Sequence, residues 1–338
     1  MNIAVLGLGF MGSTHLKAIQ NIKGAKLAAV VSSDEKKLAG DLTSIQGNLG
    51  GPGERMDFSK IARYKSIGEA LKDPKVEAVD ICLPTDQHAP VAFDALRAGK
   101  HVLVEKPMAL DGATAEKMVE EAARAKRVLM TAQVLRFFPE YEAAARMVRS
   151  GELGETRSAL LRRRCAAPGW SKWLGDASRS GGGVFDLLIH DVDYCMQVFG
   201  APAAVSAFGH EDMPHGIDTI CGALHYDHKA TVVITGGWHH PKAYPFSMEF
   251  TIVCDGGTLE YSSAGRPLKL YDAAGGERAV DVPQQDGFQA EIEYFVECAS
   301  KGARPEKCPP EESAAAVRVT RAMVESRSRN GEPIECSH

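Results

Sequence analysis

The stretch that most constrains this chain is Asn2 to Leu6 followed by Gly7-Leu8-Gly9-Phe10-Met11-Gly12 and a helical pattern through Ile22. A short apolar strand, glycines at G-x-G-x-x-G spacing and a helix, in that order, predict a β-α-β dinucleotide unit. Gly7 permits the tight turn, Gly9 lets backbone approach a pyrophosphate, and Gly12 lets the helix lie close on the strand. N–H groups at the helix start favour phosphate charge. Gly7, Gly9, Phe10, Met11 and Gly12 are therefore candidate cofactor contacts.

The rhythm continues. A second strand, Lys26 to Val31, ends in Ser32-Ser33-Asp34, about where an acid meets the adenosine ribose in many NAD sites. Ser32 and Ser33, with Lys36 and Lys37 nearby, leave NAD and NADP both open, and Asp34 reads as the N-cap of the next helix. Residues 47–65, starting Gly-Asn-Leu-Gly-Gly-Pro-Gly, read as a surface insertion loop. Ser66-Ile67-Gly68-Glu69 is a capping box for a short helix ending at Asp73-Pro74. Ala78 to Leu83 is a buried strand leading to Pro84, Thr85 and His88, with a helix from Asp86 to Ala98. His101 to Val104 is the next strand, ending in Glu105-Lys106-Pro107. In a right-handed β-α-β series every strand tip points the same way, so Lys106 stands on the same edge as the glycine turn. After the helix Asp111 to Ala125 and the strand Val128 to Thr131 comes Gln133, and the alternation ends near Pro139. Pro84, Thr85, His88, Glu105, Lys106 and Gln133 join the candidate cofactor contacts.

From Glu155 the pattern changes to strands without intervening helices, which predicts a mostly antiparallel sheet in a second domain. The expected division is residues 1–132 and 133–338. Within the second part, Gly181-Gly182-Gly183 precede a helix, Val184 to Phe199, apolar on nearly every face. Asp186, His190, Asp193 and Gln197 break that pattern at spacings that put them on one face. A carboxylate on such a helix needs a partner, and Asp186 one turn from His190 is a candidate acid–base pair, with a self-satisfied core pair as the alternative. The glycines would allow close approach of a ligand or of the other domain. Arg162-Arg163-Arg164 alternate across a strand and read as a solvated edge. Trp170, Trp173 and the strand end Gly236-Gly237-Trp238-His239-His240 carry weaker signals.

Composition narrows the partners. A formal charge of -5 over 338 residues argues against nucleic acid. No apolar window approaches a membrane span, and the start of the chain has no leader-like pattern. Eight scattered cysteines without C-x-x-C spacing suit reduced thiols in the cytoplasm and predict no metal centre.

With the glycine fingerprint, the Glu105-Lys106-Pro107 strand tip and the Gly181 to Asp193 stretch in order, the chain resembles the Gfo/Idh/MocA oxidoreductases over nearly its whole length. The resemblance implies an α/β protein: a Rossmann doubly wound parallel sheet followed by an α/β domain with a large, mostly antiparallel, open-faced sheet. That sheet commonly makes the oligomer contact, so a homodimer or homotetramer is expected. The family's E-K-P lysine matches Lys106 and its D-x-x-x-H pair matches Asp186 and His190. Ser32 departs from the acid many NAD-using relatives carry. The implied activity is hydride transfer between NAD or NADP and a secondary alcohol of a sugar, cyclitol or related polyol. A redox-neutral NAD-dependent glycosidase or lyase, and a non-catalytic nucleotide sensor, are the alternatives.

Overall fold

Strands alternating with helices of 10 to 14 residues can return only in parallel, and the first sheet follows from that. The computed structural model describes residues 1–47, 53–227 and 230–336. It comprises two units, Met1–Val134 with Asp286–Ala314, and Leu135–Gln285 with Ala315–His338.

In the first unit β1 (Asn2–Leu6), α1 (Phe10–Gln20), β2 (Lys26–Val31), α2 (Glu35–Leu38), β3 (Ala62–Tyr64), α3 (Ile67–Lys72), β4 (Ala78–Ile81), α4 (His88–Arg97), β5 (His101–Glu105), α5 (Gly112–Ala125) and β6 (Leu129–Ala132) follow one another. The strands pair in parallel in the order β3-β2-β1-β4-β5-β6. This is the doubly wound arrangement, whose order reverses between β1 and β4 and so opens a crevice at their carboxyl ends. Local chemistry agrees with the elements: Asp34 Oδ1 accepts from the N–H groups of Lys36 and Lys37 at the start of α2, and Ser66 and Glu69 form a reciprocal capping box on α3.

The expected insertion at 47–65 is corrected at its far end. Residues 48–52 lie outside the described residues, but Ala62–Tyr64 forms β3, an edge strand too short to show a period in sequence. The chain also does not simply leave its helical rhythm at Pro139. Pro139 opens α6 (Pro139–Arg149), whose buried face includes Tyr141, Ala144, Ala145 and Met147.

The second unit continues with β7 (Thr156–Cys165), α7 (Ala177–Ser180), α8 (Gly183–Phe199), β8 (Ala204–Asp212), β9 (Ile217–His225), β10 (Thr231–Trp238), β11 (Ser247–Cys254), β12 (Gly257–Ser262), β13 (Arg266–Asp272) and β14 (Glu277–Ala279). α9 (Gly287–Lys301), α10 (Pro310–Ser328) and β15 (Ile334–Glu335) complete the order. Nine strands pair as β14-β13-β12-β11-β7-β10-β9-β8-β15, antiparallel except for β7 with β10. Against a single cut at 132/133, the units divide at 134/135 and one later segment changes sides. Asp286–Ala314 clusters with the first unit, because α9 lies on α1, where Phe288 comes within 6.5 Å of the His15 ring.

Arg162-Arg163-Arg164 do not form a solvated edge, since β7 is fifth of the nine strands. Arg163 points to the α8 side and is 3% exposed, paired to Asp191. Arg162 and Arg164, on the opposite side of the strand, both reach Glu249 of β11. A neighbour on each side and a carboxylate on each face replace the water that the sequence pattern suggests.

Candidate active site

The first unit assembles its candidates at the carboxyl ends of its parallel strands. Gly7 turns the chain at φ +99°, and a Cβ there would stand 2.4 Å from the Cys82 carbonyl oxygen. At Gly12 a Cβ would come within 1.9 Å of the Gly7 carbonyl, so both positions need glycine for packing. Gly9 differs, because a Cβ there would meet nothing within 4 Å. The space is open where a pyrophosphate must approach, and Gly9 caps α1 without contributing a side chain. Phe10 and Met11 are half-buried, Ser32 is half-buried and Ser33 exposed. The Ser32 hydroxyl accepts from the Asp34 N–H at 3.1 Å.

Along the same edge the structure separates exposed candidates from buried ones. Pro84 and Lys106 are half-buried, whereas Thr85, His88, Glu105 and Gln133 are buried. His88 works behind the strand tips, its Nδ1 2.7 Å from the Pro107 carbonyl and its Nε2 2.8 Å from that of Leu83. The two carbonyls raise its pKa, but burial outweighs them and the net direction is down. Glu105 lies inward, against His15 at 3.2 Å, with its other oxygen accepting the Lys106 N–H at 3.1 Å. The side chains of His88 and Glu105 face inward and hold the backbone that carries Pro84 and Lys106.

Gln133 is 1% exposed, and neither end of its amide has a hydrogen-bond partner among the described residues; the Thr85 hydroxyl is in the same state. Orphaned buried polar groups call for a ligand or solvent. Both follow the carboxyl ends of parallel strands, and a nicotinamide dinucleotide carries carboxamide and hydroxyl groups that suit them. Together with the open approach at Gly9, the residues present fit that cofactor.

His15, Asp80 and Cys82 bring potential metal-ligand atoms within 4.8 Å of one another in the core of this unit. They already bond to each other: His15 Nδ1 is 2.9 Å from Asp80 Oδ2, and the Cys82 thiol donates to Asp80 Oδ1 at 3.4 Å. Burial pushes the Cys82 thiol pKa well up, which keeps it protonated and a poor ligand.

In the second unit the polar stripe of α8 resolves into two classes. Asp186, His190 and Gln197 are half-buried, on the one face that is not enclosed. Asp193 does not join them. It is 1% exposed and takes a bidentate pair from Arg136, at 2.7 and 2.8 Å. Asp191 is held likewise by Arg163 at 2.7 and 3.2 Å. The buried core pairs are thus Asp–Arg, and the Asp186–His190 turn remains on the accessible side.

The glycines before α8 serve packing within their own unit. A Cβ on Gly183 would meet the Trp238 ring at 2.4 Å, and one on Gly182 the Asp218 carboxylate at 2.7 Å. Asp218 Oδ2 accepts from the Val184 N–H at 2.9 Å, and its other oxygen takes an ion pair from Arg327. Sequence reading missed Asp218, which lies 34 residues from the helix start it caps. Trp238 is buried in this packing, His240 stacks on Tyr244 with ring centroids 3.8 Å apart, and Trp170 is 39% exposed.

Comparison with known proteins agrees in both units. Residues 1–133 match a family model described as "Oxidoreductase family, NAD-binding Rossmann fold", and residues 141–260 match one described as "GFO/IDH/MocA C-terminal domain". A myo-inositol 2-dehydrogenase from Thermotoga maritima is 30% identical over 201 residues, 59% of this chain and 55% of that protein, so the match spans about half the relative's length. A D-xylose 1-dehydrogenase (NADP(+)) from Haloferax volcanii is 27% identical over 96% of this chain and 97% of its own. The crystal structure of an aldose-aldose oxidoreductase from Caulobacter crescentus superposes with a TM-score of 0.84 at 23% identity, covering 99% of each chain.

Proposed function

The chain belongs to the Gfo/Idh/MocA oxidoreductase family, and from that we propose that it transfers a hydride between NAD(P) and a secondary alcohol of a sugar, cyclitol or related polyol. The observation that carries this reading is the placement of Asp186 and His190, one turn apart and half-buried on a helix whose other carboxylates are enclosed and neutralised by arginine. Names of relatives such as myo-inositol 2-dehydrogenase and D-xylose 1-dehydrogenase support the substrate class.

The bound dinucleotide supplies the hydride acceptor. In alcohol oxidation His190 takes the hydroxyl proton, because imidazole titrates near neutrality. Asp186, one turn away, orients the ring and stabilises its cation. Lys106 donates a hydrogen bond to the same oxygen and favours the developing alkoxide, and in reverse it polarises the ketone. Gly7, Gly9, Phe10, Met11 and Gly12 receive the pyrophosphate, Ser32 and Ser33 the adenosine ribose, and Gln133 and Thr85 offer polar groups at the strand tips.

Two further features belong to the proposal. The sheet face opposite α8 presents Leu160 and Phe208, 41% and 62% exposed, and it is assigned as the contact of a homodimer or homotetramer. All eight cysteines are free, which suits a reducing compartment and cytoplasmic residence; among the described residues no helix is long and apolar enough to cross a membrane.

The test is reduced-nicotinamide absorbance with a panel of sugars and cyclitols, run separately with NAD and NADP. One polyol should give signal, with turnover reduced about 10²-fold or more in Lys106→Ala and in His190→Ala while dinucleotide binding persists. An unchanged rate in His190→Ala removes the base from the mechanism. Bond cleavage without net NAD(P)H would identify the redox-neutral enzyme, and dinucleotide binding with no turnover of any kind the sensor.

A further inference from the structure

The mechanism leaves His15 unused, although it joins three elements of the first unit. It sits on α1 three residues after Gly12, and its ring is wholly buried. Nδ1 lies 2.9 Å from Asp80 Oδ2 on β4, and Nε2 lies 3.2 Å from Glu105 Oε1 on β5. Cys82 Sγ is 3.5 Å from Nδ1, and the Phe288 ring of α9 stands beside the imidazole. The Nε2 contact with Glu105 is an ion-pair distance without a hydrogen bond, so it attracts the ring only in its imidazolium form. Burial opposes that charge, while the Asp80 carboxylate and then the Cys82 sulfur, both within hydrogen-bond reach of the ring, hold the His15 pKa well above its ordinary range.

We propose that the Asp80–His15–Glu105 ion triad is a positioning device for Lys106, tying the helix of the glycine turn to the tip of β5. The proposal rests on the reading of Lys106 as a group that touches substrate oxygen. Glu105 is the link. One carboxylate oxygen faces His15, and the other accepts the N–H of Lys106. On the far side Pro107 is held through its carbonyl by His88. The residues on both sides of Lys106 are thereby fixed from within the core, so its side chain starts from a defined point. Placement at that level matters, because an error of about 1 Å in a reacting group can reduce rate by about 10²-fold. His15, Asp80 and Glu105 are positioning residues that act through Lys106.

The experiment compares Glu105→Gln, His15→Gln, Lys106→Ala and the double variant Glu105→Gln/Lys106→Ala. Dinucleotide affinity is read from NADH fluorescence, and hydride transfer from single turnovers of the polyol that reacts in the panel above. Glu105→Gln and His15→Gln should each slow hydride transfer about 10-fold or more while NADH affinity changes less than about 3-fold. In the Lys106→Ala background the Glu105 change should cost nothing further, which is the signature of action through one residue. Additive losses, or losses matched by weaker NADH binding and less folded protein, would reduce the triad to a structural role. Should Lys106→Ala keep full rate, the functional reading of Lys106 fails. Should Lys106→Ala lose rate while both glutamine variants keep full rate, only this inference fails. Nitrogen-15 NMR of the histidines needs no substrate: His15 should remain doubly protonated at pH 7.5 in the intact protein, and a neutral ring there would overturn the proposal.

Discussion

With a carboxylate at each ring nitrogen, His15 links folding to pH. Its folded pKa is raised by Asp80 against the opposing effect of burial, so the stability it contributes is complete below the ordinary imidazole value of about 6.5 and is lost as pH rises through the folded value. His88 has the opposite sign. Burial lowers its pKa, so its contribution is present above about 6.5 and is lost as pH falls through the depressed folded value. The two rings therefore contribute to the pH dependence of stability with opposite signs. Urea unfolding of His15→Gln should lack the alkaline decline that this proton imposes, which has a limiting slope of about 1.4 kcal/mol per pH unit. A wild-type slope in the variant would show that His15 is not the titrating group. Site legibility at this scale divided by cause. Gly7, Gly9 and Gly12 could be read because backbone geometry leaves a side-chain signature, namely none. His88 and Glu105 sit at the expected places, but their orientation toward carbonyls and toward His15 depends on neighbours up to 90 residues away, which no local pattern encodes.

At the scale of elements, α8 shows how a buried helix tolerates acids. Asp191 and Asp193 each receive a guanidinium in bidentate geometry, from β7 and from the turn before α6, and such pairs hold a charge where an unpaired one would be expelled. The helical period predicted a shared face for Asp186, His190, Asp193 and Gln197. All four share that face on α8, and Asp193 alone among them is enclosed, because Arg136 reaches it. The N-terminus of α8 has no side-chain cap of its own; its Val184 N–H is satisfied by Asp218 from β9. Asp218→Ala should therefore destabilise the second unit by about 2 kcal/mol through the lost cap and the weakened Arg327 pair. Denaturant unfolding checks this, with Asp218→Asn expected to recover most of the loss. NADH binding by the glycine turn should be unaffected. The reading of β7 as a solvated edge failed for a related reason: alternating arginines look alike whether water or carboxylates answer them.

At the scale of the whole molecule, the side-chain pattern of the second sheet places helices on one face only among the described residues. Arg163 and its neighbours Leu161 and Cys165 are buried toward α8, while Leu160, Arg162 and Arg164 alternate to the other side. Register carries that side outward through Thr235 and Cys221 to Phe208. An open face with exposed Leu and Phe among ion pairs suits a second copy of the chain. Leu160→Asp combined with Phe208→Asp should shift the assembly toward monomer in light scattering coupled to size exclusion. An unchanged mass would exclude this face as the contact. The β-α-β half was legible almost throughout because its periods, caps and glycines are local. By itself the sequence determined the parallel dinucleotide sheet, the mostly antiparallel second sheet and the positions of Lys106, Asp186 and His190, since these rest on spacing along the chain. Tertiary structure alone decided which charges are buried and with what partners, because pairing among Asp80, His15 and Glu105, or between Arg163 and Asp191, is set by packing of elements distant in sequence. It also decided that Asp286–Ala314 returns to the first unit, since the face of α9 that fits α1 carries no mark of its partner.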